Sequence, residues 1–113
     1  MNGDNPDDPA ASHADGFQSL NERLSRGALK SSSRILILIL LAMNKKSTAT
    51  ELRVLTGLGK GSLENHLEKL ETAGYVKTRN IKVFGGWRQV VEITQEGLDE
   101  CRELLLAIRT MDV

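Results

Sequence analysis

The sequence predicts a mainly α-helical α+β fold of one domain, with a β-hairpin placed before the last helix. Apolar residues recur at spacings of three and four in several segments, as they do in amphipathic helices. Two β-rich runs are separated by Gly85 and Gly86, and a glycine pair between such runs indicates a tight hairpin turn. With 113 residues, 40% of them hydrophobic, the chain has room for one modest core.

The N-terminal segment differs from the rest in composition. Residues 1–16 combine Asp, Pro, Gly, Asn and Ser with few apolar side chains, which predicts a disordered acidic tail. The domain is therefore expected over residues 17–113. A short amphipathic helix is predicted from Phe17 to Leu29, because apolar residues recur there at positions 17, 20, 24 and 28.

The apolar run Ile35–Met43 fits either a helix or a buried strand, because a β-branched residue occupies every other position in ILILIL. The serines at 31–33 offer N-cap oxygens for a helix. After the run, Thr48 and Glu51 form a capping-box pattern, in which each side chain is expected to accept from a free amide. A new helix is therefore predicted over Thr50–Thr56, ending at Gly57.

The second half of the chain alternates helix and strand patterns. After Gly59–Gly61, a longer helix over about residues 60–73 is predicted from Leu63, Leu67 and Leu70, which share one face. Two strands follow, Tyr75–Phe84 and Trp87–Thr94, and Thr94 then caps a helix from Gln95 to about Arg109. The apolar stripe of this last helix contains Leu98, Cys101, Leu105 and Ile108.

Charge is segregated along the chain although the formal total is zero. Residues 1–22 carry five acids and no Lys or Arg, and residues 92–113 carry six acids and two arginines. Between them, residues 23–91 carry thirteen Lys or Arg and four acids. Ordinary surface solvation would also account for such a segment, yet a basic block of this kind is typical of a polyanion-binding surface.

Several classes of protein are disfavoured by what the sequence lacks. The longest apolar run is too short to span a bilayer, and no secretory signal pattern is visible, so a cytoplasmic protein without a membrane partner is expected. Paired carboxylates, a nucleophile elbow and a phosphate loop are missing, so an enzyme is not expected. Cys101 lies on the apolar stripe and is interpreted as a small buried hydrophobe rather than a redox switch.

The stretches GLGKGSLENHLEKLETAGYVKT (Gly57 to Thr78) and VEITQEG (Val91 to Gly97) carry a resemblance that covers roughly residues 30–110. They resemble the winged-helix regulators of the MarR and ArsR type, and most of all the compact winged helix DNA-binding group. The resemblance implies a winged helix-turn-helix fold, a prokaryotic transcriptional regulator, a helical Ile35–Met43 segment, and a short third strand at Ser47 and Thr48.

Metal-sensing relatives place cysteines on the helix before the recognition helix, or His and Asp on the last helix. The corresponding stretches here, ATELRVLTG and QEGLDECRELLLAIR, contain no histidine and one cysteine. Neither a metal nor a cofactor is therefore expected.

The predicted recognition helix, about residues 60–73, is expected to lie in the major groove of double-stranded DNA. At about 100° per residue from Leu63, Asn65 lies on the far side, and its amide can pair with adenine. Ser62 can contact a base or a phosphate, and two lysines are expected on phosphates. The predicted DNA contacts of this helix are Lys60, Gly61, Ser62, Asn65 and Lys69. Alternatively, these are ordinary solvated residues on the polar side of an amphipathic helix.

Four further side-chain features of the helix and the hairpin bear on this interpretation. Glu64 and Glu68 also face outward and would repel phosphates unless one of them accepts a hydrogen bond from a cytosine amino group. His66, at the edge of the leucine stripe, is expected to pack or hydrogen-bond locally. Phe84 and Trp87 are expected to cover the base of the hairpin rather than to stack on nucleic acid. Basic residues are expected around the hairpin turn, on flanking phosphates or in the minor groove, namely Lys77, Arg79, Lys82 and Arg88.

A homodimer is expected, because one winged helix makes few base contacts and two half-sites raise specificity. The interface is predicted on the N-terminal, ILILIL and last helices at Leu20, Leu24, Ile37, Leu41, Leu98, Cys101, Leu105 and Ile108. A small-molecule effector is compatible with this class of regulator, although the sequence identifies none. The competing hypothesis is a winged helix that binds proteins without specific DNA binding.

Overall fold

The computed structural model describes residues 27–110 together with Gln18, Asn21, Glu22 and Leu24. The predicted acidic tail and most of the predicted helix over residues 17–29, including Leu20, lie outside the described residues. The four described residues before position 27 are helical, and Gly27–Lys30 form a 3₁₀ helix.

The main body contains four α-helices and three strands, which confirms the predicted α+β fold with a hairpin. Helix α1 leads into a short strand, two further helices, the hairpin and a final helix. Their bounds are α1 Ser32–Asn44, β1 Lys46–Thr48, α2 Ala49–Thr56, α3 Lys60–Thr72, β2 Val76–Val83, β3 Gly86–Ile93 and α4 Gln95–Arg109.

Helix α1 resolves the ambiguity of the ILILIL run. The Ser31 hydroxyl caps it by accepting a hydrogen bond from the Arg34 amide at 3.4 Å. Ile37, Leu38 and Leu41 share the inner face and are almost completely buried, so the packing of one helical face overrides the β-preference of isoleucine. In the part of the chain that the structure describes, no helix has the length and apolar character needed to cross a membrane.

Only one of the two hydrogen bonds predicted for the capping box before α2 is formed, because the Glu51 carboxylate has a different partner. The Thr48 hydroxyl accepts from the Glu51 amide at 3.1 Å, as expected. The Glu51 carboxylate, however, accepts from the Ser47 hydroxyl at 3.0 Å and not from a backbone amide. Ser47 is buried in β1, so this bond joins the short strand to the first turn of α2.

Helix α3 ends where glycine permits a left-handed residue. Gly74 has φ +84°, and the amides of Gly74 and Tyr75 donate to the carbonyls of Glu71 and Leu70 at 2.9 and 3.0 Å. This pair of bonds is the Schellman motif, which satisfies the last carbonyls of a helix. The chain then enters β2 in the direction that the hairpin requires.

The three strands form an antiparallel sheet in the order β1-β3-β2, so β2 lies at one edge. The short third strand at Ser47 and Thr48 is thereby confirmed. Val83 pairs with Gly86, so the two-residue loop is Phe84–Gly85 rather than the predicted Gly85–Gly86. Gly85 takes φ +91°, a conformation that residues with a Cβ rarely adopt.

One core joins the helices to the inner side of the sheet. Thr94 fixes the start of α4 to this body: its hydroxyl accepts from the Gly97 amide at 3.0 Å and donates to the Gly74 carbonyl at 2.6 Å. The end of α3, the end of β3 and the start of α4 therefore meet at one threonine. The core is formed by Leu29, Ile37, Leu38, Leu41, Leu52, Leu63, Leu67, Leu70, Val76, Val91 and Ile93.

Candidate nucleic-acid interface

Helix α3 is oriented by three leucines. Leu63, Leu67 and Leu70 are at most 2% exposed, which fixes the opposite side of the helix toward solvent. Asn65 lies at the centre of that opposite side. The residues that the sequence placed on the outer surface, Lys60, Gly61, Ser62, Asn65 and Lys69, are all exposed.

The N-terminus of α3 is open to a ligand. Its N-cap, Gly59, has no side chain to accept from the first amides of the helix. A Cβ added at Gly61 would meet no atom within 4 Å among its surroundings, so a binding partner can approach the backbone closely there. Free amides and the positive end of the helix dipole together favour an anion at this position.

A concave surface of about 550 Å³ lies between the starts of α2 and α3 and the hairpin, and we call it the wing cleft. Three cations, Arg53, Lys60 and Arg88, line it together with one carboxylate, Glu64. The cleft also presents neutral hydrogen-bonding side chains, from Thr48, Thr50, Asn80 and Gln89. Its net positive charge and its hydrogen-bonding groups suit a phosphate backbone.

Sequence reasoning did not identify Arg53 as part of the site. It is the only cation of α2, and its side chain is exposed in the wing cleft. In helix-turn-helix proteins the helix before the recognition helix crosses the DNA backbone. An arginine on that helix could therefore have been predicted from the sequence as a phosphate contact.

The hairpin separates the predicted wing cations between two faces. Directly paired residues share a face, and neighbours along a strand alternate. Thr78 belongs to the face toward α3, because its amide and hydroxyl donate to the Glu71 carboxylate at 3.0 and 3.1 Å. Lys82, paired with Trp87, lies on this inner face, whereas Lys77, Arg79 and Arg88 lie on the outer face.

The prediction that all four cations surround the turn is therefore wrong. Lys77 pairs with Glu92 near the base of the hairpin, six residues before Val83, a separation of about 20 Å along a strand. Only Lys82 and Arg88 flank the turn. Arg88 also lines the wing cleft, although it pairs with Ile81 on the outer face.

The hairpin aromatics do not cover its base, contrary to the sequence-based expectation. Phe84 is fully exposed at the tip, and Trp87 is 68% exposed beside the wing cleft. Toward the turn the inner face contributes no buried side chain, since Asn80, Lys82 and Trp87 are all exposed. Two large apolar side chains thus stand in solvent next to Lys82 and Arg88.

The acidic residues of α3 have different environments. Glu71 is held by Thr78, so its carboxylate links the helix to the sheet. Glu64 and Glu68 are exposed on the flank toward the hairpin, and within the described residues neither makes an ion pair.

His66 is held by a buried arginine on the other flank of α3. The Arg34 Nη1 donates to His66 Nδ1 at 3.1 Å, so His66 makes a hydrogen bond within the domain, one of the two outcomes predicted, with a partner 32 residues away in the chain. A guanidinium can only donate, so Nδ1 is the acceptor and the ring proton lies on Nε2. Burial, followed by the charges of Arg34 and Lys69, lowers the pKa of His66 from its usual 6.5.

Cys101 is 5% exposed, as predicted for a small buried hydrophobe, and burial raises the pKa of its thiol. A raised pKa leaves little reactive thiolate at neutral pH. Within the described part of the chain, no group of three or more His, Cys, Asp or Glu side chains could hold a metal ion.

The residues predicted for a dimer interface are placed very differently from one another. Ile37, Leu41 and Cys101 are at most 5% exposed, so they are buried within the chain itself and offer no surface to a partner. Leu24 and Leu98 are half-buried. Leu105 and Ile108 on α4 are 51% and 46% exposed and remain accessible.

Comparison with known proteins identifies the fold. Residues 33–111 match the model of the family described as winged helix DNA-binding domain. A structure of a transcriptional regulator homologue from Pyrococcus horikoshii OT3 is 28% identical with a TM-score of 0.74, over 85% of this chain and 99% of that one. No curated protein matches significantly.

Two more distant structures share the fold. NadR in complex with 4-hydroxyphenylacetate is 23% identical with a TM-score of 0.64, over 88% of this chain and 66% of that one. A probable transcriptional regulator from Pseudomonas aeruginosa is 18% identical with a TM-score of 0.65, over 94% of this chain and 80% of that one.

Proposed function

The chain belongs to the winged helix DNA-binding domain family, and from that premise we propose that it is a transcriptional regulator that binds specific double-stranded DNA as a homodimer. The observation that carries this proposal is the arrangement around α3. Its leucines face the core, its opposite side is polar and exposed, and the cationic wing cleft opens beside its N-terminus.

In this proposal α3 lies in the major groove and reads base edges near its N-terminus. Asn65 pairs with an adenine, since its amide offers one donor and one acceptor side by side. Ser62 contacts a base or phosphate, and the open Gly61 lets the helix start approach the backbone. Lys69 contacts a phosphate on the far side of the groove.

The wing cleft binds the phosphate backbone beside that groove. Arg53, Lys60 and Arg88 converge there from three elements, α2, α3 and β3. Lys82 adds charge nearer the tip of the hairpin, Arg79 lies nearer its base opposite Val90, and Lys77, at the base, contributes least. The turn carries Phe84 into the adjacent minor groove.

Two such surfaces are presented together by a homodimer that uses the outer flank of α4. Leu105 and Ile108 are exposed there, and Leu106 is 45% exposed beside them. Three half-exposed apolar side chains within four residues form an apolar patch without a partner in the described chain. A small-molecule effector is also proposed, since the similarly folded NadR was solved with a small-molecule ligand.

The experiment that tests the proposal is salt-dependent binding to a duplex selected from a random DNA pool. Arg53→Gln and Arg88→Gln are expected to lower affinity several-fold each and to reduce the salt slope by about one per residue. Asn65→Ala is expected to weaken the selected duplex more than a random one, because base contacts carry the specificity.

Lys46→Gln is the matched control, because it removes one positive charge from an exposed position on β1 that lies outside α3, the wing cleft and the apolar patch of α4. It is expected to leave DNA affinity unchanged. If wild-type protein binds no duplex, or if the site variants bind as well as the control, the alternative of a protein-binding winged helix is favoured instead.

A further inference from the structure

Two large aromatic side chains are exposed at the tip of the hairpin. Phe84 is fully exposed in the two-residue loop, and Trp87 is 68% exposed at the start of β3. The chain contains only four Phe, Tyr and Trp residues, so half of them lie within these four positions. Scattered single apolar side chains are common on protein surfaces, but two aromatic rings together at the end of one ribbon indicate a contact surface.

Phe84 lies beside two residues that have no side chain. Gly85 and Gly86 have φ +91° and +145°, values that residues with a Cβ rarely adopt. A Cβ added at either glycine would meet no atom within 4 Å. The backbone of the tip is therefore narrow, and the ring of Phe84 is the one large side chain on it. A single apolar ring on a narrow backbone has the shape of a wedge.

The hairpin holds this tip well away from the core. Val90 is the buried residue of β3 that is nearest the turn, and Gly86 lies four positions before it, about 13 Å along a strand. The minor groove of B-DNA is about 7.5 Å deep, so the tip can reach the floor of the groove while the core stays outside. The two strands pair continuously up to Val83 and Gly86, which holds the tip in a fixed orientation.

Positive charges lie on both strands next to the aromatic tip. Lys82 precedes Phe84 by two positions on β2, Arg88 follows Gly86 by two positions on β3, and both are exposed. Residues 76–91 contain four Lys or Arg and no Asp or Glu. A duplex groove matches this arrangement, because it has phosphates along both walls and stacked apolar base faces between them.

We propose that Phe84 is a wedge that enters a base step from the minor groove and kinks the duplex, an inference that rests on the proposed function. Lys82 and Arg88 hold the phosphates on the two sides of the groove. Apolar side chains that enter a base step in this way partly unstack it and bend DNA toward the major groove.

The wedge gives the hairpin a role in sequence selection. Unstacking one base step costs a free energy of the same order as the burial of one phenylalanine ring contributes. Insertion is therefore favourable only where the step unstacks easily, and pyrimidine–purine steps such as TA and CA are the most flexible. Phe84 thus selects a flexible step beside the half-site that α3 reads, without a hydrogen bond to any base.

The bend is measured by fluorescence energy transfer between dyes at the two ends of the selected duplex, at protein concentrations that saturate it. Wild type is expected to kink the duplex by about 20° or more. Phe84→Ser is expected to bind without this kink, and Phe84→Leu to restore most of it, because leucine is also an apolar wedge. Val54→Ser on α2 is the control and should bend DNA as wild type does.

A straight duplex on wild-type protein, or the same bend with wild type and Phe84→Ser, overturns the proposal.

The position of the wedge is found with 2-aminopurine, an adenine analogue that becomes more fluorescent when it is unstacked. Placed in turn along the DNA beside the half-site, it is expected to brighten at one TA or CA step with wild type and not with Phe84→Ser. Replacement of that step by GC is expected to weaken wild-type binding several-fold and Phe84→Ser binding less than twofold. An equal loss in the two proteins assigns the preference to another contact and overturns the wedge.

Failure of this inference is distinguishable from failure of the proposed function. A duplex that is bound but stays straight, with no unstacked base, overturns the wedge alone and leaves DNA binding intact. A protein that binds no duplex overturns both.

Discussion

At the scale of single residues, the fold depends on one glycine at a close contact between elements. Gly97 lies in the first turn of α4 and is buried. A Cβ built there would collide with the Tyr75 carbonyl oxygen and would lie 2.7 Å from Ile93 Cγ1. The start of α4 therefore packs directly on the backbone that leads into β2.

Gly97→Ala is expected to lower the free energy of unfolding by about 1–2 kcal/mol. The collision costs about 1–3 kcal/mol, and the better helix propensity of alanine offsets up to about 1 kcal/mol of it. Gly61→Ala is the matched control, because its Cβ meets nothing and should stabilise α3 slightly. Equal urea midpoints for the two variants would contradict the contact.

His66 makes stability dependent on pH. Its pKa is lowered in the folded protein by burial and by the charges of Arg34 and Lys69, whereas the unfolded chain takes up the proton near 6.5. The unfolded state thus binds more protons below that pH, so the free energy of unfolding falls as the solution is acidified from pH 7.5 to 5.5.

The urea midpoint at three pH values measures this effect. His66→Gln is expected to show a flatter pH profile than wild type, because the glutamine side chain does not titrate. His13 is common to both proteins and cancels in the comparison. Parallel profiles would mean that His66 is not held neutral by its surroundings.

At the scale of elements, the carboxylates of α3 have two different roles: Glu71 stabilises the contact with the sheet, whereas Glu68 is expected to repel DNA phosphates. Glu71→Gln is expected to lower the free energy of unfolding by about 1 kcal/mol, because it weakens two charge-assisted bonds to Thr78. Glu68→Gln is the counterpart on the same flank. It should leave stability unchanged and raise DNA affinity a few-fold, since a repelling charge next to phosphates is removed.

The hairpin tip provides another prediction at this scale. Phe84→Ser is expected to reduce affinity for the selected duplex several-fold without loss of stability, because a fully exposed ring contributes no core packing. Val54→Ser on α2, 78% exposed and outside the wing cleft, is the control. A Phe84→Ser protein that binds DNA as tightly as the control would exclude the tip from the interface.

The sequence predicted elements better than it predicted surfaces. The leucine spacing of α3 was enough to place Asn65 outward, since one periodic face determines the opposite one. In α1 nearly every position is apolar, so periodicity could not show that Ile37 and Leu41 face inward. Which face of the hairpin each cation lies on depends on the strand register, which the sequence did not specify. Arg34 contacts His66, 32 residues away in the chain, and no local sequence pattern encodes such a contact.

At the scale of the whole molecule, the outer flank of α4 is the proposed contact between two copies. Leu105→Asp and Ile108→Asp are each expected to convert a dimer to a monomer in equilibrium sedimentation, because each places a charge in an apolar patch. Leu55→Asp, which puts the same charge at a 58% exposed leucine on α2, should remain dimeric. A wild-type monomer at micromolar concentration would remove the dimer from the proposal.

The edge position of β2 has a consequence for the molecule in a crowded solution. A strand of eight residues that has no neighbour on its outer side within the described chain is a template on which another chain could add a strand, the first step toward insoluble aggregates. Charged side chains along such a strand oppose that addition, and β2 carries Lys77, Arg79 and Lys82. Loss of all three cations from this edge is therefore expected to make self-association easier, whether or not the protein binds DNA.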